Sequence, residues 1–167
     1  MADLSEDLQF QLVLSGTYWD KRPSFDVLID DTIVLSDTIS ASPSRKGLAD
    51  SFMDKDYELV TYQTHDFSYN LSPGEHTLGI RLKNKTSADT RHFVNEGHWL
   101  NDMLLNIEKI SIDNVDLQHL LWTKSVYKLD APFNGQTQLL NCTNLGFNGT
   151  YQIKFSIPFY IWLLECL

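Results

Sequence analysis

The chain has 167 residues, is 43% hydrophobic and 12% aromatic, and carries a formal net charge of −9. That length suits one domain, or one domain with an extension, and buries enough core to fold without a disulfide or structural metal. The acidic balance excludes a nucleic-acid partner, which needs a basic stripe, and is compatible with cation binding or a neutral glycan.

Met1 to Asp7 is acidic and has no apolar core, so no signal peptide is expected. The expected location is therefore cytoplasmic during synthesis. No apolar run approaches the roughly 20 residues of a membrane span. Cys142 and Cys166 show no framework spacing and are expected to be unpaired thiols. The sequons at Asn70, Asn84, Asn141 and Asn148 read as chance without a secretion signal.

In chain order, Leu8 to Leu14 reads as a strand, and Gly16 to Pro23 as a loop carrying Tyr18 and Trp19. Ser24 to Ile29 and Thr32 to Leu35 read as two strands joined by a tight hairpin at Asp30-Asp31. Residues 40–56 are rich in Ser, Asp, Lys and Gly and read as a loop. Residues 57–71 read as extended, either as one strand or broken near His65, a strand histidine without catalytic duty. Ser72-Pro73-Gly74 is a turn signal before a strand over 75–82.

A long polar segment, Asn84 to Asn101, follows, holding Asp89, Asn95, Glu96, His98, Trp99 and Asn101. Asp102 closes it, and Leu104 to Ile112 reads as the next strand. Two strands thus hold an oxygen-rich loop long enough to suggest function. Oxygen donors on one loop beside an aromatic suit a hard cation such as calcium and a sugar face. Asp113-Asn114 is a turn signal, and Val115 to Trp122 reads as another strand.

Residues 134–149 are rich in Asn, Gln, Thr and Gly. Thr150 to Ile157 alternates, with Tyr151, Ile153, Phe155 and Ile157 on one face. Pro158 to Leu167 is almost wholly apolar, too short to span a bilayer, and is expected to pack on the chain itself or on a partner. The pattern predicts an all-β fold, an antiparallel β-sandwich of jelly-roll type with a short apolar C-terminal extension. The expected division is a sandwich over 1–122 and an extension over 123–167.

Successive antiparallel strands alternate in direction, so alternate loops share one end of a sandwich. Counting strands over 8–15, 24–30, 32–39, 57–71, 75–83 and 103–112 puts the turns at Asp30-Asp31 and Pro73-Gly74 at one end. The loops 16–23, 40–56 and 84–102 fall at the other. This parity brings Tyr18 and Trp19 towards Glu96, Trp99 and Asp102.

Phe25-Asp26-Val27-Leu28-Ile29-Asp30, then Gly74-Glu75-His76-Thr77-Leu78, then Asn84, then the run from Asp102 to Ile110 form a pattern. It resembles the calcium-dependent xylan-binding modules, carbohydrate-binding families thirty-six and sixty, over roughly residues 8–117. Their "Gly-x-His-Thr-Ile" arm is matched by Gly74 to Leu78, and their loop-closing Asp by Asp102. Asp102 is followed here by Met103-Leu104 in place of Arg-Asn, and the hairpin lacks their Asp-Gly. The resemblance implies a small non-catalytic sandwich. It implies calcium held by Asp102, with Glu96 as a second carboxylate and the Asn101 carbonyl as a backbone ligand.

Three functions compete. The first is a calcium-assisted, lectin-like carbohydrate-binding protein for a polysaccharide or cell-surface glycan, with Trp99, Trp19 and Tyr18 as stacking candidates. The second is a bacteriophage virion or tail structural protein, virion-associated and assembling as a homo-oligomer or on a neighbour through its C-terminal segment. It rests on analogy with sandwich proteins that carry no secretion signal. The third is a glycosidase using Glu96 and Asp102 as acid and base. It is disfavoured, because neighbours on one flexible loop rarely hold the fixed separation such chemistry needs. The reading adopted is therefore no enzyme.

Overall fold

Alternation of buried and outward-facing positions marks the first strand. In β1 (Glu6–Thr17), Leu8, Phe10, Leu12 and Leu14 are buried while Asp7, Gln9, Gln11 and Val13 face outward. The computed structural model describes residues 4–43, 61–92 and 99–167, with residues 92 and 99–101 described as backbone alone. The remaining strands are β2 (Ser24–Ile29), β3 (Thr32–Thr38), β4 (Gln63–Leu71), β5 (Gly74–Leu82), β6 (Arg91–His92), β7 (Trp99–Asn101), β8 (Leu104–Ile112), β9 (Val115–Asp116), β10 (Ser125–Phe133), β11 (Gln136–Leu140), β12 (Asn144–Leu145) and β13 (Gly149–Ile157). Two short helices complete the chain, α1 (Gln118–Thr123) and α2 (Phe159–Glu165).

Among the described residues the strands form two main antiparallel sheets packed face to face, and β6 and β7 pair separately. One has the order β12-β8-β1-β4, with β9 paired to β8; the other is six-stranded, β11-β10-β13-β5-β2-β3. The predicted antiparallel β-sandwich is the observed fold. Its core interleaves both inner faces, with Phe10 and Leu12 of β1 meeting Ile80 of β5 and Ile153 and Phe155 of β13 in one buried cluster. Phe10 stacks on Phe67 of β4 at 4.8 Å between ring centroids and meets Phe155 edge-on at 6.1 Å.

The turn residues explain the hairpins. Asp30 and Asp31 both take positive φ, at 48° and 65°, as a two-residue turn between right-twisted strands requires. Asp113-Asn114 and Asn134-Gly135 repeat the device between β8 and β9 and between β10 and β11. Gly149 is required by close approach, because a Cβ there would lie 2.3 Å from the Lys128 carbonyl oxygen of β10.

Val115 to Trp122 departs from its predicted strand. The Asp116 side chain accepts the Gln118 N–H at 2.9 Å, and this local bond turns the chain into α1. The α1 carbonyl of Leu121 receives both the Ser125 and the Tyr151 hydroxyls, which satisfies a helix end that would otherwise be orphaned. Burial pushes the Tyr151 hydroxyl pKa up to about 12, so it stays a donor. Residues 57–60 of the predicted fourth strand lie outside the described residues.

Residues 123–167, set apart in the sequence as an extension, supply β10 to β13 and α2. β13 is hydrogen-bonded between β10 and β5, and its Tyr151, Ile153, Phe155 and Ile157 are buried. The apolar run after it forms α2, which buries Phe159 and packs Trp162 and Leu163 against the core. Tyr160, Ile161 and Leu164 of the same helix are exposed.

The tight turns at Asp30-Asp31 and Ser72-Pro73-Gly74 share one end, as strand parity requires, whereas the Asn134-Gly135 turn lies at the other. At one end Asp30 contacts His76 and Thr77, His76 reaches the Ser72 carbonyl, and Glu6 accepts the Phe159 N–H. At the other end the segments 18–23, 39–43, 83–90 and 141–148 come together.

Candidate functional site

Two asparagines organise the loop end. The Asn84 side chain accepts the Ser24 N–H at 2.8 Å and donates to the Arg22 carbonyl at 2.9 Å. The Asn148 side chain accepts the Lys85 N–H and donates to the Lys85 carbonyl, both at 2.8 Å. An amide carries a donor and an acceptor side by side, so each asparagine clamps a backbone as a strand neighbour would. Residues 84–85 are thereby fixed between the loop after β1 and the loop before β13.

Fixing the Lys85 backbone aims its side chain. Lys85 Nζ lies 2.6 Å from Asp102 Oδ1 and 2.6 Å from the Gly146 carbonyl oxygen. The Lys85 and Asp102 side chains are only 12% and 19% exposed. Asp102 Oδ1 also accepts the Thr90 hydroxyl at 2.7 Å and the Met103 N–H at 2.8 Å. The ammonium stands 6.0 Å from the centre of the Phe147 ring, within cation–π range. Phe147 is itself pinned, since the Tyr127 hydroxyl donates to its carbonyl and accepts its N–H. Burial drives the Tyr127 pKa strongly upward, so that hydroxyl remains protonated.

A second acidic group anchors the same loop. Asp89 is buried, and its Oδ2 accepts the Thr86 N–H at 2.7 Å, the Thr86 hydroxyl at 3.0 Å and the Lys21 ammonium at 3.0 Å. Burial alone would raise its pKa, but the Thr86 N–H, Lys21 and the Thr86 hydroxyl outweigh it and hold the carboxyl below its ordinary value. Trp19 donates its indole N–H to the Asp89 carbonyl at 3.0 Å, and the Arg91 guanidinium lies 3.9 Å over its ring. The loops carrying Trp19 and Asp102 therefore meet through Asp89 and Thr90.

Against this network opens a cleft of about 740 Å³. One wall is polar, with Lys85, Thr90 and Asp102. Its apolar lining comes from Leu139 and Phe133 of the β10–β11 hairpin and from Phe147, which packs 4.6 Å from Phe133 between ring centroids. Asn144, Asn148 and Asp130 add further donors and acceptors along it. Asp130 pairs with Arg81 at 2.9 Å. The Cys142 thiol also lines the cleft; burial raises its pKa and it donates to the Asn144 carbonyl. Cys142 and Cys166 are both free.

The predicted site residues fall as follows. Asp102 lies at the centre of the network. Trp19 is at the same end and one-third exposed. Tyr18 is half-buried, with its hydroxyl spent on the Ala41 carbonyl at 2.7 Å. Trp99 and Asn101 belong to β7, whose backbone pairs with β6 beside Thr90. Glu96 lies outside the described residues.

Calcium at Asp102 meets a direct test. A calcium ion would stand 2.3–2.6 Å from the carboxylate oxygen, where the Lys85 ammonium already lies at 2.6 Å from Oδ1. The same ammonium holds the Gly146 carbonyl, another oxygen a hard cation would use. Among the described residues no cluster of three or more His, Cys, Asp or Glu side chains is placed to hold a metal. At Asp102 Oδ1 the Lys85 ammonium therefore stands where a cation would, while Glu96 of the implied set lies outside the described residues.

Lys85, Phe133 and Phe147 are absent from the sequence expectations, and Asn148 figures there only as a chance sequon. Lys85 carried no distinctive signal, since Lys83 and Arg91 are further cations in and beside the same loop. For the hairpin carrying Phe133 it was Asn134-Gly135, a strong two-residue turn pair.

No family model matches the chain, and no curated protein matches it. Two solved structures are similar to it in fold. One is vCBM60 in complex with galactobiose, 14% identical, covering 89% of this chain and 97% of that one with a TM-score of 0.47. The other is the selenomethionine form of vCBM60, from work on circular permutation linking two families of calcium-dependent carbohydrate binding modules. It is 13% identical and covers 87% of this chain and 89% of that one, with a TM-score of 0.48. At this level of identity and superposition the likeness assigns neither a ligand nor a site residue to this chain.

Proposed function

We propose that this chain is a non-catalytic carbohydrate-binding protein that takes a neutral glycan in the cleft between the 84–102 loop and the β10–β11 hairpin. One observation carries the reading: the aromatic pair Phe133–Phe147 and the polar wall of Lys85, Thr90 and Asp102 line the same cleft. A sugar ring has one face of C–H groups and a rim of hydroxyls. It needs an apolar platform and mixed donors and acceptors within one ring's width. Trp19, one-third exposed at the same end, would offer a ring for a further sugar unit.

Catalysis is not part of the reading. A glycosidase needs a carboxyl with a raised pKa as proton donor. Asp26 and Asp89 are instead held below their ordinary value, because their lysine and hydroxyl partners outweigh burial. Asp102 is committed to Lys85 and Thr90.

The test is titration calorimetry with a panel of neutral oligosaccharides on the wild type and Phe133→Ala. Phe133 is 45% exposed, so truncation should leave the melting temperature almost unchanged. Loss of a stacking ring should weaken binding about tenfold. Equal affinity in both proteins would refute the cleft as the sugar site.

A second reading, assembly on a neighbouring subunit as in a virion or tail, is favoured by α2, which exposes Tyr160, Ile161 and Leu164. Replacing the exposed Ile161 and Leu164 with serine should then yield a smaller species by light scattering, with the core contacts of Phe159, Trp162 and Leu163 left in place. Unchanged size would sink that reading.

A further inference from the structure

The Lys85–Asp102 pair occupies the place where the family resemblance puts a metal, and it has chemistry left over. An ammonium carries three N–H donors. Two are used, on Asp102 Oδ1 and the Gly146 carbonyl oxygen. The three bonds that Asp102 receives from Lys85, Thr90 and Met103 all end on Oδ1, and among the described residues Oδ2 has no partner. Both side chains line the cleft. Among the described residues, one donor on Lys85 and one acceptor on Asp102 thus remain on two groups in direct contact.

The geometry points to this ion pair as a metal-free recognition site for a vicinal diol. The third Lys85 N–H donates to one hydroxyl oxygen, and Asp102 Oδ2 accepts the proton of the adjacent hydroxyl. The oxygens of a vicinal diol stand about one hydrogen-bond length apart, which matches a donor and an acceptor on touching groups. The pair is neutral overall, so it favours an uncharged diol over an anionic or cationic ligand. Both groups are already oriented by bonds from Asn148, Gly146, Thr90 and Met103, so little side-chain entropy is lost on binding. The Lys85 ammonium does the work of a resident cation, and added calcium has no role. This inference rests on the carbohydrate reading above.

The experiment uses the whole chain with xylobiose, galactobiose and cellobiose, each titrated in excess EDTA and again in millimolar calcium. Equal affinity in the two buffers, for at least one disaccharide, is the expected result. Binding that requires calcium, or a rise in the wild-type melting temperature on adding calcium, would overturn the inference and leave the carbohydrate reading standing. Absence of binding to every disaccharide in both buffers would overturn both. Lys85→Met should weaken binding roughly tenfold or more, since a charged hydrogen bond is lost. Its near-UV circular dichroism serves as the check on folding. Unchanged affinity in a folded Lys85→Met protein would also overturn the inference. Should that variant fail to fold, the EDTA and calcium comparison on the wild type decides alone.

Discussion

Removing Asp102 should destabilise this protein far more than removing an ordinary surface carboxylate. At 2.6 Å and an effective dielectric constant of about 20, an ammonium and a carboxylate attract by about 6 kcal/mol. Desolvation of two nearly buried ions offsets most of that, so the intact pair contributes little net stability. Breaking it is another matter. Asp102→Ala leaves the Lys85 ammonium, 12% exposed, with no counter-charge among the described residues and the Gly146 carbonyl and Phe147 ring as its partners. It also strands the Thr90 hydroxyl and the Met103 N–H. Loss of one partner of a buried pair costs about 3–5 kcal/mol, and the residual exposure here places the expected cost near 3 kcal/mol. For a domain of this size 1 kcal/mol moves the melting temperature by about 2–4 °C, so a fall of about 6–12 °C is expected. The double variant Lys85→Met/Asp102→Ala should recover much of the loss, because the unpaired charge is gone. A double-mutant cycle by denaturant titration reads the coupling, expected at about 2 kcal/mol or more. Additive single effects would refute the reasoning, for they would mean the two groups do not meet.

Asn148→Asp keeps the acceptor for the Lys85 N–H but loses the donor to its carbonyl, and sets two oxygens against each other. It should cost about 1–3 kcal/mol and weaken sugar binding, whereas Asn148→Ser with unchanged stability would disprove the clamp. The His76 ring bonds Asp30 and the Ser72 carbonyl; burial alone would lower its pKa, but these partners outweigh it and hold it above the ordinary 6.5. Its contribution to stability is therefore complete below about pH 6.5 and is lost as pH rises through the raised folded value. Asp30→Asn retains an acceptor for the Thr77 N–H and tolerates the positive φ at that turn, yet removes the charge. It should lower the His76 pKa, read by NMR titration, and flatten stability against pH above 6.5; an unmoved His76 would refute the pairing.

The sandwich was legible because its strands obey local rules. Leu8 to Leu14 alternates, Thr150 to Ile157 alternates, and Asp30-Asp31 and Asp113-Asn114 sit where left-handed turns are needed. Strand parity then placed Trp19 at the same end as the polar loop without any knowledge of contacts. Where the reading failed, side chains had overridden pattern: Asp116 bent an apolar run into α1. Asp102 was visible as the close of an acidic loop. Its partner was not, because Lys85 reaches it only once Asn148, 63 positions away, has fixed the lysine backbone. Composition shows that oxygen donors are plentiful on the loop; it does not show that the protein brings its own cation to them.

The position of β13 has a kinetic corollary. It is the last strand in chain order, yet it pairs with β5, as Ile153 does with Leu78 and Ile157 with Gly74. Those contacts close loops of more than seventy residues, and of the sheet's five pairings only β2–β3 and β10–β11 are hairpins. Contacts of that separation must be made before much apolar surface is buried, so the folding barrier is dominated by chain entropy and refolding is expected in the millisecond-to-second range. Until β13 docks, β5 offers an unpaired edge on which a second chain could add a strand. Dilute refolding should therefore succeed where concentrated refolding precipitates.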